Sequence, residues 1–283
     1  HKEYRRQRQM CIRDRFTPSN AGAVSTVVSD LAYHTTLKYE FHIYGRQITS
    51  PSFPELCYHA LKPKWPLIYG HNLGLAHSYI TDLQRRERQP SLIEVHGRCQ
   101  VARTIAKINN TAKVALFLHN DPRRMTGSKT LAERLWLARN LAGIFANSNY
   151  IKNCFLDGFS NTEISQTPIF VTPLGANRNI QNKPSKEKTI IIASRIVPEK
   201  GILQAAIALR DILPDFPEWR VKIIGAKHFR DGTISDYEKS VKETLAPLQG
   251  QAEMAGFLPL AQINKELEKA AIAIVPSVWQ EPA

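Results

Sequence analysis

The feature that most constrains this chain is its regular exchange of short apolar runs with amphipathic stretches, which begins at Phe16 and continues to the last residues. Such alternation specifies an α/β chain with parallel sheets. In the first half the predicted strands are "YEFHIYG" (39–45), "SLIEV" (91–95), "KVALFLH" (113–119), "GIFANS" (143–148) and "IFVTP" (169–173). Helical spacing separates them, as in "GAVSTVVSDLAYH", where Val24, Val27, Val28 and Leu31 share a face, and near 131–141 and 149–157. The polar stretch 177–188 reads as a linker. The alternation then restarts with "TIIIAS" (189–194), a helix carrying Ile202, Ala206, Leu209 and Leu213, a strand in "WRVKIIGA", two more helices, and a buried closing strand in "AIAIVPS". Two doubly wound domains in series follow, with boundaries at 1–15 (outside the fold), 16–180, a linker at 181–188, and 189–283. Both ends are expected to be truncated: an opening strand before Phe16 is missing, and the second domain has too few strands at "VPSVWQEPA".

Charge enters because the chain carries a formal +13. Part of it belongs to "HKEYRRQRQMCIRDR", whose "MCIRDR" resembles a translated sequencing adapter and is set aside from fold reasoning. That segment holds six Lys/Arg and two Asp/Glu, which leaves +9 for the remainder. An anionic partner is expected: a phosphorylated small molecule, an anionic membrane face or nucleic acid. No apolar run is long enough to span a bilayer and no secretory pattern opens the chain. Cys11, Cys57, Cys99 and Cys154 lie far apart without a C-x-x-C pair, so buried, inert thiols in a reduced cytoplasmic protein are the simplest expectation.

The turn "SRIVPEKGI" (194–202) places Arg195 and Lys200 between a strand and a helix. A helix start already gathers unpaired backbone N–H groups, so two added cations point to a strongly anionic ligand. "SRIVPEKG", "VKIIGA" and "AGFLPLAQINKELEKAAIAIVPSVWQEP" occur in the order and spacing of family 4 glycosyltransferases, which this chain resembles over roughly residues 16–283. In the first half "NAGAVSTVVSDLA", "LIEVHGR", "LFLHND", "IFANSNYIKN" and "VTPLGANRN" resemble that family's landmarks, less specifically.

The resemblance implies the GT-B fold: two Rossmann-like parallel-sheet domains facing across a cleft, here with the second incomplete. It implies a retaining transfer of a hexose from a nucleoside-diphosphate sugar to a saccharide or lipid-linked acceptor, in cell-surface polysaccharide or lipopolysaccharide synthesis. Arg195 and Lys200 would grip the donor diphosphate, Arg as a planar fork and Lys as a compact charge. Fixed cations there stabilise the departing nucleoside diphosphate more than the ground state. Glu281 resembles the first carboxylate of the family's Glu-x7-Glu motif and would accept hydrogen bonds from sugar hydroxyls. Gly22 resembles the glycine loop before the first helix, although the family's two adjacent glycines are here one glycine between alanines. His119 is similar in position to the histidine near the reacting sugar. His96, Arg98, Asn120 and Asp121 fall on the acceptor side, and Gly225 and Phe257 resemble walls of the nucleotide pocket. Both histidines, ending apolar strands, should face the cleft.

No metal or cofactor is implied beyond the donor itself. The implied partners are the nucleotide sugar, the acceptor and, optionally, the anionic inner face of the plasma membrane, with a cytoplasmic location. A nucleic-acid-binding protein is disfavoured because the Lys/Arg are scattered and no recognised motif occurs. A nicotinamide-dependent oxidoreductase lacks its G-x-G-x-x-G fingerprint. An inactive sugar-nucleotide-binding partner of the same fold stays open, and the truncated chain is itself expected to be inactive.

Overall fold

The computed structural model describes residues 6–9 (backbone only), 15–18, 21–36, 41–85, 90–108, 111–176, 184–227 and 233–282. Residues 177–183 of the expected linker, Cys11 and the first two residues of the expected strand 39–45 lie outside these. The chain divides into two units, His1–Ala176 with Pro282–Ala283, and Asn177–Glu281. Glu187 and Lys188, expected in the linker, already belong to the first strand of the second unit.

The first unit is a seven-stranded, wholly parallel sheet of β1 (Arg6–Gln9), β2 (Phe41–Arg46), β3 (Cys57–Leu61), β4 (Leu92–His96), β5 (Lys113–Leu118), β6 (Gly143–Ala146) and β7 (Ile169–Val171), in the order β3-β2-β1-β4-β5-β6-β7. Helices α1 (Ala23–Tyr33), α2 (Pro66–Gln84), α3 (Cys99–Ile108), α4 (Leu131–Asn140), α5 (Asn149–Leu156) and α6 (Asn161–Gln166) complete it. Successive strand residues point to opposite faces. In β2, Tyr44 joins the main core with Leu75 and Tyr79 of α2, whereas Ile43 packs on the far side with Phe16, Val28 and Ala32. A sheet covered on both faces needs apolar residues at successive positions, which is why these strands read as near-continuous apolar runs.

Two expectations are corrected here. The buried stripe of α1 is Ser25, Val28, Ser29 and Ala32, with Leu31 exposed, because the helix packs one step round from its most apolar face. Residues 6–9, set aside with the adapter-like segment, form β1 between β2 and β4. A polar Arg-Gln-Arg-Gln strand occupies an interior position, where parallel sheets ordinarily place Val, Ile and Leu. Sequence reading also passed over β3, α2, α3 and α6; the patterns of β3 and α2 are interrupted by His and Lys, and α6 is too short to register.

The second unit is a four-stranded parallel sheet of β8 (Glu187–Ala193), β9 (Arg220–Ile224), β10 (Ala252–Gly256) and β11 (Ala270–Ala273), ordered β10-β9-β8-β11. Its helices are α7 (Ile202–Ile212), α8 (Asp236–Leu245) and α9 (Leu260–Lys269). The triplet Ile190-Ile191-Ile192 serves both faces. Ile190 and Ile192 pack with Ile202, Ala206 and Leu209 of α7 and Val241 of α8, while Ile191 packs with Ile263 of α9. Each such fully buried side chain contributes about 1.5–3 kcal/mol. The predicted α7 face is the buried one, and Pro214 lies just beyond the helix end. Ser235 and Glu238 close a reciprocal capping box at the start of α8. The closing strand differs from expectation: among the described residues β11 has a single neighbour, β8, and of its four residues only Ala270 is buried.

Candidate functional site

All strands of the second unit run parallel, so their carboxyl ends share one edge of the sheet, the edge at which open α/β sheets bind ligands. Three of those ends are tied together by backbone contacts. The Ser194 N–H donates to the Ile224 carbonyl at 3.0 Å, and the Gly225 N–H donates to the Gly256 carbonyl at 2.8 Å. Gly225 has φ 139°, and a Cβ there would lie 1.8 Å from the Ser194 carbonyl oxygen. Only glycine fits, and its N–H is engaged within the protein; its duty is to let two strand ends meet. Phe257, half-exposed at 43%, follows on the same edge.

Arg195 and Lys200 sit where β8 passes through a single 3₁₀ turn (Pro198–Lys200) into α7. The backbone there is more fully satisfied than the sequence suggests. The Lys200 and Gly201 N–H groups donate to the Val197 and Pro198 carbonyls, and the Leu203 N–H donates to the Tyr237 hydroxyl. Side chains therefore carry most of the attraction for an anion. Gly201 has φ 64°, and a Cβ there would lie 2.0 Å from the Pro276 carbonyl oxygen. The segment after β11 thus lies directly against the turn, where the Val278 N–H donates to the Glu199 carbonyl at 3.1 Å.

This close approach brings Glu281 onto Lys200, Nζ to Oε1 at 2.5 Å, with side chains 20% and 30% exposed. The Ser277 hydroxyl donates to the same carboxylate, and the Lys200 ammonium lies 5.7 Å from the centre of the Trp279 ring. Burial pushes the Glu281 carboxyl up, but hydrogen bonds from Lys200, Ser277 and Trp279 and the lysine's charge outweigh it and hold the group below the ordinary glutamate range. It is ionised at neutral pH and accepts hydrogen bonds only. Arg195 is half-exposed, and its one ion pair among the described residues is a loose 3.9 Å contact with Glu199. Lys200 and Glu281 thus form an ion pair at the carboxyl edge of the sheet, on the same strand-to-helix turn that carries Arg195.

In the first unit His96 ends β4 and His119 follows β5, neighbouring strands, and the rings meet with Nδ1 of His96 3.2 Å from Nε2 of His119. Both are expected to face the cleft rather than the core; for His96 the structure corrects this. His96 is wholly buried, stacked on Phe117 at 4.5 Å, and acts as the support on which His119 rests. Burial first, and then the neighbouring His96, push His119 down to about 3, so its imidazole is neutral across the physiological range. It can exchange hydrogen bonds with a hydroxyl but cannot carry charge.

Asp121, expected on the acceptor side, makes its contacts within its own loop. Its carboxylate caps the turn Pro122–Arg124 and is held by the Arg123 side chain, which reaches on to Asp157 at 3.0 Å. Burial pushes its carboxyl up, but the hydrogen bonds from Arg123 and that residue's charge outweigh it and hold the group below the ordinary aspartate range. It fastens the loop after β5, whereas its neighbour Asn120 is exposed. Arg98, partly buried, bonds the Gly97 carbonyl at 3.4 Å. Gly22 is the extended N-cap of α1 with φ −80°, a conformation open to any residue, so its glycine character serves no backbone need.

Sequence reading missed a cavity of about 580 Å³ at the carboxyl ends of β2 and β3, lined by Arg46, Leu61, Tyr69, His71, Asn72 and Gln100. The cavity lies beside a kink in α2 at Gly70 (φ 70°, ψ 170°), which opens the helix after one turn. That first turn leaves Trp65, Leu67, Ile68 and Tyr69 exposed. A His42, Cys57 and His59 group was also missed.

Residues 175–283 match the family model described as Glycosyl transferases group 1. Across 99% of its length the chain superposes on 76% of the Anabaena Alr3699/HepE chain crystallised with UDP and glucose, with a TM-score of 0.70 at 16% identity. The fold is GT-B. A glycosyltransferase structure from Rickettsia africae gives TM-score 0.69 at 17% identity, over 99% of this chain and 75% of that one. By sequence, the chain is 24% identical to YtcC of Bacillus subtilis over 278 residues, covering 92% of this chain and 66% of that one. It is 24% identical over 236 residues to the lipopolysaccharide 1,2-N-acetylglucosaminetransferase of Salmonella typhimurium, covering 79% and 58% respectively. The chain thus spans less than two thirds of either relative. Within the GT-B frame, the matched family model encloses Arg195, Lys200 and Glu281.

Proposed function

We propose that the protein is a retaining family 4 glycosyltransferase that moves a hexose from a nucleoside-diphosphate sugar to a saccharide or lipid-linked acceptor in cell-surface polysaccharide or lipopolysaccharide synthesis. The observation that carries this reading is the 2.5 Å contact between Lys200 and Glu281, on the turn that also carries Arg195. It sets a group suited to phosphate oxygens next to one suited to sugar hydroxyls, the two ends of the bond to be broken. The bond from the anomeric carbon to the phosphate oxygen breaks, its electron pair leaving with the diphosphate; that from the anomeric carbon to the acceptor oxygen forms, and the acceptor hydroxyl's proton passes to the departing diphosphate. Arg195 and Lys200 would stabilise the negative charge that collects on the leaving diphosphate. Glu281, ionised and acceptor-only, would orient the sugar and disfavour a ligand whose hydroxyl is misplaced.

The UDP and glucose named with the Anabaena structure and the acetylglucosaminyl transfer named for the Salmonella relative make a uridine-diphosphate hexose or N-acetylhexosamine the first donor to try. His119, neutral, would meet a sugar hydroxyl, while the cavity beside Arg46, His71 and Asn72 would take the acceptor. The exposed Trp65-Pro66-Leu67-Ile68-Tyr69 turn, with exposed Lys62 beside it, supports contact with an anionic membrane on the cytoplasmic side. Among the described residues no helix is long and apolar enough to cross a membrane.

The test, run on the intact enzyme, is titration calorimetry with UDP and UDP-sugars together with transfer assays across uridine, guanosine and adenosine donors. Arg195→Ala and Lys200→Ala should each weaken UDP binding and lower turnover by about 100-fold or more, with little change in melting temperature. Wild-type binding and turnover in both variants would overturn the diphosphate assignment. Donor binding without transfer to any acceptor would instead favour an inactive sugar-nucleotide partner of the same fold.

A further inference from the structure

We propose that His42, Cys57 and His59 form a divalent-metal site in the first unit, with zinc the ion its donor set suits. Strands β2 and β3 lie side by side in parallel register, His42 against Cys57 and Tyr44 against His59. Residues two apart on a strand share a face, so the three donors stand on one side of the sheet. Their ligand atoms all lie within 4.8 Å of one another. His42 Nδ1 is 2.9 Å from His59 Nε2, which is 3.3 Å from Cys57 Sγ. Tetrahedral zinc with nitrogen and sulfur ligands about 2.0–2.3 Å away holds those ligands roughly 3.3–3.6 Å from each other, so small side-chain rotations complete the cage.

Burial and packing favour the same reading. His42 is 8% exposed, and the His59 ring is stacked on Tyr44 at 4.6 Å, so two of the three donors are held in place before any ion arrives. Cys57 is exposed, which gives the ion an entry path and a solvent-side position for a water as fourth ligand. Two imidazoles and a thiolate suit zinc over magnesium or calcium, which prefer oxygen ligands. On binding, the sulfur–metal bond replaces the S–H bond and the thiol proton passes to solvent.

The site lies toward the amino ends of β2 and β3, the opposite end of the strands from the cavity and the His119 loop. Its effect is structural: it clips the edge strand β3, which has one neighbour in the sheet, onto β2.

The experiment uses the full chain with Zn²⁺ or Co²⁺ alone. One equivalent of Co²⁺ should produce a thiolate-to-metal charge-transfer band that disappears in Cys57→Ser. Zn²⁺ should slow alkylation of Cys57, read by peptide mass mapping, by at least about tenfold and raise the melting temperature, as any ligand of the folded state does. His59→Gln should weaken Zn²⁺ binding on the order of 100-fold, a scale reached even by mutations in the outer shell of zinc sites. The mapped alkylation needs no variant, so a folding defect in either substitution leaves the test intact. Equal alkylation of Cys57 with and without Zn²⁺, or a cobalt band that survives Cys57→Ser, overturns the proposal.

Discussion

His119 shows how a single side chain can be tuned by its neighbours for hydrogen bonding alone. Burial and His96 depress its pKa to about 3, against an unfolded value near 6.5. The unfolded chain therefore binds the extra proton first. Stability from this residue is fully present above about pH 6.5 and is lost as pH falls toward 3, on the order of a few kcal/mol at the acid end. His119→Gln should flatten that part of the stability–pH curve in denaturant melts; an unchanged acid limb would show that the imidazole is not held neutral. The sequence made the strand-end position of His119 plain but could not show that His96 lies beneath it, because both residues follow equally apolar runs. The same ambiguity hid the commitment of Asp121 to Arg123, a pairing of side chains that only the folded turn brings together.

At the level of elements, strands buried on both faces were the most legible, since their apolar runs have no other explanation. The Ile190–Ile192 triplet and the α7 stripe are the clearest cases. Elements whose burial is one-sided or whose sequence is mixed, such as β3 and α2, escaped notice. The tie between β8, β9 and β10 depends on Gly225. Gly225→Ala should cost about 3 kcal/mol or more in urea melts, because the new methyl group would overlap the Ser194 carbonyl at a backbone angle that L-residues avoid. A near-neutral effect would mean that the strand ends can separate freely.

For the whole molecule, two parallel sheets could be read from the alternation alone, and the motifs near Arg195, Lys200 and Glu281 fall at the carboxyl edge of the second. The cavity beside α2 was not legible, because it arises from the Gly70 kink, a backbone event with no periodic signature. The apolar first turn of α2 carries a prediction at this scale. Vesicles containing phosphatidylglycerol should bind the protein in flotation assays, and Leu67→Glu with Ile68→Glu should weaken binding by about tenfold or more per site, given that Leu67 is fully exposed and Ile68 is 76% exposed. Equal flotation of the double variant would assign that turn another role.

The contact of Gly201 with the Pro276 carbonyl has one further consequence. A cation and an anion some eighty residues apart in sequence are aligned by one shared seam of main chain. Enlarging residue 201, even to alanine, would therefore disable both halves of the proposed donor grip at once, although neither Lys200 nor Glu281 had been altered.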